Sequence, residues 1–210
     1  MPASKKLRVA VLISGGGRSL ENLAESIHSG DVPAEIVEVI SSHPDAYGLE
    51  RAQRLGFPRR TVDFRQEGDH FSEALTEAID ACQADLVIMA GFIRKWEFPP
   101  HYEMRVLNIH PALLPAFGGK GFYGGRVHQA VIDSGAKFSG CTVHFANLEY
   151  DRGPIILQRV IPVLPDDTAD TLAARVFEQE CLAYPEALRC IAEDRLEFKD
   201  GRVLVRDSES

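Results

Sequence analysis

The run Leu7–Ile13 (LRVAVLI) ends in Ser14-Gly15-Gly16-Gly17-Arg18-Ser19 and gives way at once to apolar residues at helical spacing, Leu20, Leu23, Ala24 and Ile27, with a stop near Gly30. A short β-branched run with no polar alternation reads as a buried strand. Strand, glycine loop, helix is the opening unit of a doubly wound α/β sheet, and it restricts the rest of the chain to supplying parallel neighbours for that strand. The later segments fit the restriction. Ile36–Ile40 reads as a second strand, Tyr47–Leu55 as a helix closed by Gly56, and Thr61–Val62 as at most a short strand. His70–Cys82 carries apolar residues at Phe71, Ala74, Leu75, Ala78 and Ile79, a helical period. Asp85–Ala90 (DLVIMA) and Val106–Ile109 are two more buried strands.

After Pro115 the pattern changes. Phe117–Gly125 is a glycine-rich loop, read as a mobile segment that closes over a site. Val127–Asp133 is a short helix stopped near Gly135. Cys141–Phe145 and Ile155–Val163 read as two strands joined by the polar turn Ala146–Pro154. A long helix opens at Asp167 or Thr168 as cap and runs through Leu172, Val176, Leu182 and Leu188, with Pro185 expected to bend or divide it. Leu196–Val205 alternates around Asp200-Gly201, a hairpin signal. With no internal repeat and no linker, residues 1–210 are expected to form one domain.

A formal charge of −8 argues against a nucleic-acid surface, which needs a basic stripe to displace counterions. It leaves room for a small anion held by local donors. No stretch reaches the roughly 18 apolar residues of a membrane span, and Met1–Arg8 is too short and polar for a secretory signal. Cys82, Cys141, Cys181 and Cys190 form no C-x-x-C pair and no zinc spacing, so they read as free thiols of a cytoplasmic protein.

Several motifs admit chemistry. The Ser14–Ser19 loop offers backbone N–H groups at a helix N-terminus, an anion site. It lacks the dinucleotide fingerprint, because Leu20 stands where the third glycine belongs, and it lacks the P-loop Gly-Lys-Ser/Thr. The alternative is a tight turn without a ligand. Gly119-Lys-Gly-Phe-Tyr-Gly124 matches G-x-G-x-x-G in letters only, since no strand precedes it. Asn108 and His110 lie two apart near the end of a strand and so share a face, while Pro111 turns the chain away. They are either a satisfied polar pair or a site at the carboxyl end of a strand. His144 alternates with apolar neighbours and suits core or site wall equally. Turn chemistry alone accounts for Asp151, and His128 on its short helix reads as a surface or packing residue. No histidines and carboxylates stand at ligand spacing, so no metal site is expected.

Together these segments resemble the phosphoribosylglycinamide formyltransferases, folate-dependent transferases of purine synthesis and one-carbon metabolism. The resemblance runs from Val9 to about Pro185. It rests on Val-Leu-Ile-Ser-Gly-Gly-Gly-Arg-Ser-Leu (11–20), Ala-Gly-Phe-Ile-Arg (90–94), Leu-Asn-Ile-His-Pro-Ala-Leu-Leu-Pro (107–115) and Thr-Val-His-Phe (142–145). Asp-Arg-Gly-Pro-Ile-Ile-Leu-Gln (151–158) and Gln179-Glu180 before Tyr184-Pro185 complete it. It implies a Rossmann-like formyltransferase fold, a mostly parallel sheet flanked by helices with a C-terminal hairpin. Residues 1–106 would then be the ribonucleotide-binding half and 107–210 the catalytic and folate-binding half.

By the same resemblance Asn108, His110 and Asp151 are catalytic, with His144 supporting them. Gly16, Gly17, Arg18 and Ser19 would hold the substrate phosphate and Glu180 the ribose. The pterin would lie against backbone of Ile93, Arg94 and Trp96 and of Asn147 and Leu148. The co-substrate is 10-formyltetrahydrofolate, with no metal. The expected partners are therefore glycinamide ribonucleotide and the folate, with neither nucleic acid nor membrane, and a homodimer stays open beside the monomer.

Arg18-Ser19 stands where the family often has Ser-Asn, Phe177 where some members carry a glutamine, and the 117–125 loop is longer than in the shortest members. None of these touches the Asn/His/Asp set. A formyltetrahydrofolate deformylase would keep that set but usually carries an N-terminal regulatory domain, for which the first strand near Leu7 leaves no room. A formyltransferase acting on methionyl-tRNA would need a further domain and a basic surface. One acting on an amino sugar, or a non-catalytic nucleotide-binding module, are the remaining alternatives.

Overall fold

The computed structural model describes residues 6–207, and the chain divides into two compact units, Met1–Leu107 and Asn108–Ser210. In the first unit β1 (Leu7–Ile13), β2 (Ala34–Ser41), β3 (Arg59–Thr61) and β4 (Leu86–Met89) lie in the order β3-β2-β1-β4. Every pairing among them is parallel, and parallel pairs need crossover connections. These are supplied by α1 (Arg18–His28), α2 (Tyr47–Arg54), a short α3 (Phe64–Glu67) and α4 (Phe71–Cys82). The chain builds outward from β1 to β3 and then resumes on the other side of β1. That reversal is the doubly wound order, and its switch point lies between the carboxyl ends of β1 and β4.

Burial explains why these residues form these elements. Val9 to Ile13 on the central strand are fully shut off from solvent, which is why β1 carries no polar alternation. Helix α1 buries Leu20, Leu23 and Ala24, the apolar stripe of its sequence. Helix α2 packs on β2 and α1 through Gly48 and Ala52, both buried. A Cβ at Gly48 would fall 2.6 Å from Ile13 Cδ1 and 3.1 Å from the Gly15 carbonyl, so only glycine lets α2 approach the turn after β1.

The third strand is Arg59–Thr61 rather than Thr61–Val62. All three of its residues are exposed, so no apolar pattern marks it. Helix α3, capped by the Asp63 side chain accepting from Arg65 N–H, was not expected at all; one turn is too short for periodicity to register.

In the second unit β5 (Val106–His110), which starts in the last residues of the first, β6 (Phe138–Phe145) and β7 (Ile155–Pro162) follow in that order. β6 and β7 are antiparallel. α5 (Gly125–Ser134) and α6 (Ala169–Ala192) pack on one another, and α6 covers β6 and β7. β8 (Leu196–Lys199) and β9 (Arg202–Val205) form the expected antiparallel hairpin about Asp200-Gly201. The fold is thus α/β, mostly parallel and helix-flanked, with a terminal hairpin.

Of the two cap candidates Thr168 caps α6. Its hydroxyl accepts from Thr171 N–H at 3.2 Å while the Thr171 hydroxyl accepts from Thr168 N–H at 2.9 Å. Pro185 does not divide the helix, which runs unbroken past it. A proline inside a helix costs about 3 kcal/mol. Burial of Tyr184 and Leu188 beside it, at roughly 1.5–3 kcal/mol for each large apolar side chain, offsets that loss. No disulfide joins any of the four cysteines. Among the described residues no helix is long and apolar enough to cross a membrane.

Candidate active site

Asn108 and His110 leave β5 on the same face, as their spacing requires. His144 comes from β6, directly after a bulge: Val143 pairs with Leu157 but His144 with Ile155, leaving Ile156 unopposed. Bulges of this kind re-aim the side chain that follows. Asp151 stands in the β6–β7 connection with φ of 57°, a left-handed conformation that aspartate tolerates better than most residues. His110 and His144 are 3% and 1% exposed, so neither ring can rely on water for its hydrogen bonds.

The hydrogen bonds assign the protons. His144 Nδ1 lies 2.9 Å from its neighbour's carbonyl, that of Phe145, and a carbonyl can only accept. Its Nε2 is then the acceptor, and Asn108 Nδ2 donates to it at 3.2 Å. A neutral His144 therefore fixes which end of the Asn108 amide is the nitrogen and leaves the second N–H for a ligand. Burial, foremost, pushes the His144 pKa down, with a further push from His110, against the opposing pull of the Phe145 carbonyl and Asp151. That direction agrees with the neutral ring.

His110 Nε2 donates to the carbonyl of Phe117 at 2.8 Å. Its other nitrogen, Nδ1, faces Asp151 Oδ2 at 3.5 Å. Asp151 Oδ2 also accepts the Gly119 N–H at 2.9 Å, and Oδ1 lies 3.8 Å from His144 Nε2. One carboxylate thus faces two imidazoles. Phe117 is itself left-handed, with φ of 54°, which is unusual for an aromatic residue and costs of order 1–3 kcal/mol. Both strained residues of this unit's cluster, Phe117 and Asp151, bear on His110.

A third imidazole lies behind these. His128 on α5 is 5% exposed, so it is a packing residue, and its Nδ1 has no hydrogen-bond partner among the described residues. Burial, followed by the proximity of His110, pushes its pKa down. His128 and His144 therefore bind protons more weakly in the folded chain than the roughly 6.5 of an unperturbed histidine. Where the unfolded chain takes up more protons, stability rises with pH; it must fall as pH drops from about 6.5 through the lower folded values. The urea midpoint is expected to be lower near pH 5.5 than near pH 7.5, and His128→Leu should flatten that difference. Equal midpoints at both pH values would contradict the assignment.

In the first unit the switch point carries the other candidates. Gly17, with φ of 74°, is the N-cap of α1, and a Cβ there would fall 2.7 Å from Gly48 Cα. Gly16 and Arg18 are exposed and Ser19 is half-buried, at the helix N-terminus where the N–H groups point outward. Ser14 Oγ pairs with Ser42 Oγ at 2.7 Å and accepts the Ile93 N–H at 3.1 Å, tying the carboxyl ends of β1, β2 and β4 together. The Arg94 guanidinium lies over the Phe64 ring, and its Nε is buried with no hydrogen-bond partner among the described residues. The Trp96 indole is core, donating to Thr76 Oγ1 at 3.0 Å and packed against Phe98 and Tyr102. Only its backbone is left for a ligand.

In the second unit Asn147 turns its side chain onto Glu149 N–H, Leu148 is exposed, and Glu180 lies within α6. A cleft of about 630 Å3 beside Asn147 is lined by Arg152, Phe198 and Arg202 among others. Among the described residues no group of three or more His, Cys, Asp or Glu is placed to hold a metal ion.

Sequence reasoning missed the backbone contributors, the Phe117 carbonyl and Gly119 N–H. It also gave no separate part to Thr142 and Gln158, which stood within quoted motifs. The glycine-rich loop is the signal that could have found the first pair.

The formyl transferase family model matches residues 7–188. The chain belongs to the formyl transferase family. Within it, the chain is similar to phosphoribosylglycinamide formyltransferases. The chain is 38% identical over 215 residues to the chloroplastic phosphoribosylglycinamide formyltransferase of Arabidopsis thaliana, covering 100% of this chain and 73% of that protein. The crystal structure of glycinamide ribonucleotide transformylase 1 from Symbiobacterium toebii matches with a TM-score of 0.89 and 39% identity, over 99% of this chain and 96% of that one. A formyltetrahydrofolate deformylase from Pseudomonas syringae pv. tomato matches with a TM-score of 0.87 but 26% identity, over 98% of this chain and 67% of that one.

Proposed function

We propose that this chain transfers the formyl group of 10-formyltetrahydrofolate to the primary amine of glycinamide ribonucleotide, a step of purine biosynthesis. The observation that carries the reading is the Asn108 amide, aimed by a neutral His144 beside the His110–Asp151 pair. When the amine attacks the formyl carbon, negative charge grows on the formyl oxygen. The second N–H of Asn108 donates to it. The Nε2–H of His110, donated at rest to the Phe117 carbonyl, is redirected to the same oxygen as charge develops there. Asp151, whose carboxylate faces His110 Nδ1, takes part in relaying the amine's proton to N10 as the C–N10 bond breaks. No covalent enzyme intermediate and no metal enter the reaction so written.

In this reading residues 1–106 serve the ribonucleotide, its phosphate on Gly16, Gly17, Arg18 and Ser19. Residues 107–210 supply the chemistry, with Glu180 on the ribose. The pterin is held by backbone of Ile93, Arg94 and Trp96 and of Asn147 and Leu148. Arg18 adds a guanidinium to what the helix N-terminus offers an anion. A cytoplasmic protein, as monomer or homodimer, is the setting this reading expects. The test is formyl transfer from 10-formyltetrahydrofolate, followed by absorbance with and without glycinamide ribonucleotide. Turnover that depends on the ribonucleotide is the expected result. Equal turnover without it would make water the acceptor and the chain a deformylase.

A further inference from the structure

Thr142 and Gln158 have no part in the reaction above, yet together they grip the turn that follows His110. Thr142 is fully buried on β6, and Gln158 is its register partner on β7. The Thr142 hydroxyl donates to the Ala112 carbonyl at 2.7 Å. It accepts from Leu114 N–H at 3.0 Å and from Gln158 Nε2 at 2.9 Å. The same Nε2 donates to the Leu114 carbonyl at 3.0 Å. One hydroxyl thus uses its donor and both acceptor positions, and three backbone polar groups of Ala112–Leu114 are held by two side chains.

The grip reaches the reacting residues through packing. Gly118 is wedged between Leu114 and Asp151: a Cβ there would fall 2.4 Å from Leu114 Cδ2 and 3.2 Å from Asp151 Cβ. The peptide groups on either side of Gly118 are the two that matter. The Phe117 carbonyl fixes the proton of His110 on Nε2, and the Gly119 N–H holds the Asp151 carboxylate. If Leu114 shifts, the wedge shifts, and both anchors move with it. A displacement near 1 Å suffices to cost on the order of 100-fold in rate.

We propose that Thr142 and Gln158 are positioning residues: by seating Ala112–Leu114 they place the Phe117 carbonyl and Gly119 N–H that set the tautomer of His110 and the aim of Asp151. The kinetic arm rests on the transfer reaction; the spectroscopic arm does not. Thr142→Val keeps the shape and deletes the hydroxyl, Thr142→Ser restores it, and Gln158→Met, at a solvent-reachable position, removes the donor with little demand on folding.

In 15N-histidine-labelled protein, His110 should be a single Nε2–H tautomer in the wild type and Thr142→Ser. It should be a mixture in Thr142→Val and Gln158→Met. In the assay the last two should lose about 10- to 100-fold in kcat with KM within about twofold for both substrates. Folded Thr142→Val or Gln158→Met protein that keeps one His110 tautomer and wild-type kcat would overturn the proposal. So would a Thr142→Ser variant no better than valine. If Thr142→Val does not fold, Gln158→Met decides alone. A wild type inactive in transfer but with the tautomer pattern above would sink the function and leave the positioning intact.

Discussion

Alanine at Asn108 should lower kcat by about 100- to 1,000-fold, the loss of one preorganised oxyanion donor, or roughly 2.7–4 kcal/mol of transition-state stabilisation. Alanine at His110 should cost about 100- to 10,000-fold, because the same change removes a second donor and a proton carrier. Since both serve one developing oxyanion, the double variant should lose much less than the product of the two. Folding should survive. Asn108→Ala leaves the buried His144 Nε2 without its donor, a cost of about 1–3 kcal/mol, and His110→Ala opens a small polar hollow below the Phe117 carbonyl. Saturation kinetics beside circular-dichroism melts would check both. A folded variant with near wild-type turnover would remove its residue from the mechanism.

Gly153→Ala is expected to be among the most damaging single methyls in the chain's second half. A Cβ there would stand 1.7 Å from the Phe145 carbonyl oxygen and 2.9 Å from its carbon. Gly153 is not left-handed, so the conflict is one of space alone. Both neighbours are backbone, in the segment where Phe145 N–H donates to Pro154 at 2.9 Å, and neither can yield as a side chain tip would. The connection must lift off the end of β6, which carries Asp151 away from His110 and breaks the Phe145 contact that sets the His144 tautomer. Overpacking commonly costs 1–3 kcal/mol, and a backbone collision should reach about 3 kcal/mol or more. Loss of stability in urea together with loss of kcat is the expected pair. A variant as stable as the wild type would show that the turn has slack.

What the residues determined by themselves is everything local or periodic. The apolar runs of β1, β4 and β5 announced buried strands, because a strand covered on both faces has no polar register to keep. The triple glycine placed the turn into α1, and the spacing of Asn108 and His110 put them on one face. The motifs of the formyltransferases carried the rest of the active-site expectation. The three exposed residues of β3 and the single turn of α3 escaped, since neither has a period. Pro185 does not divide α6, because the local rule is outweighed by the burial of its neighbours.

Only the tertiary structure decided how the site works. Which nitrogen of His144 carries the proton depends on the Phe145 carbonyl, and that in turn decides which way the Asn108 amide faces. The proton on His110 is set by a carbonyl seven residues on, held by a left-handed Phe117. Thr142 and Gln158, 16 residues apart, reach the same turn through antiparallel register. The physical reason is common to all three. A backbone carbonyl or N–H has the same chemistry in every residue, so the sequence cannot label the ones that matter; only folding, by choosing which of them meets a buried side chain, gives them a role.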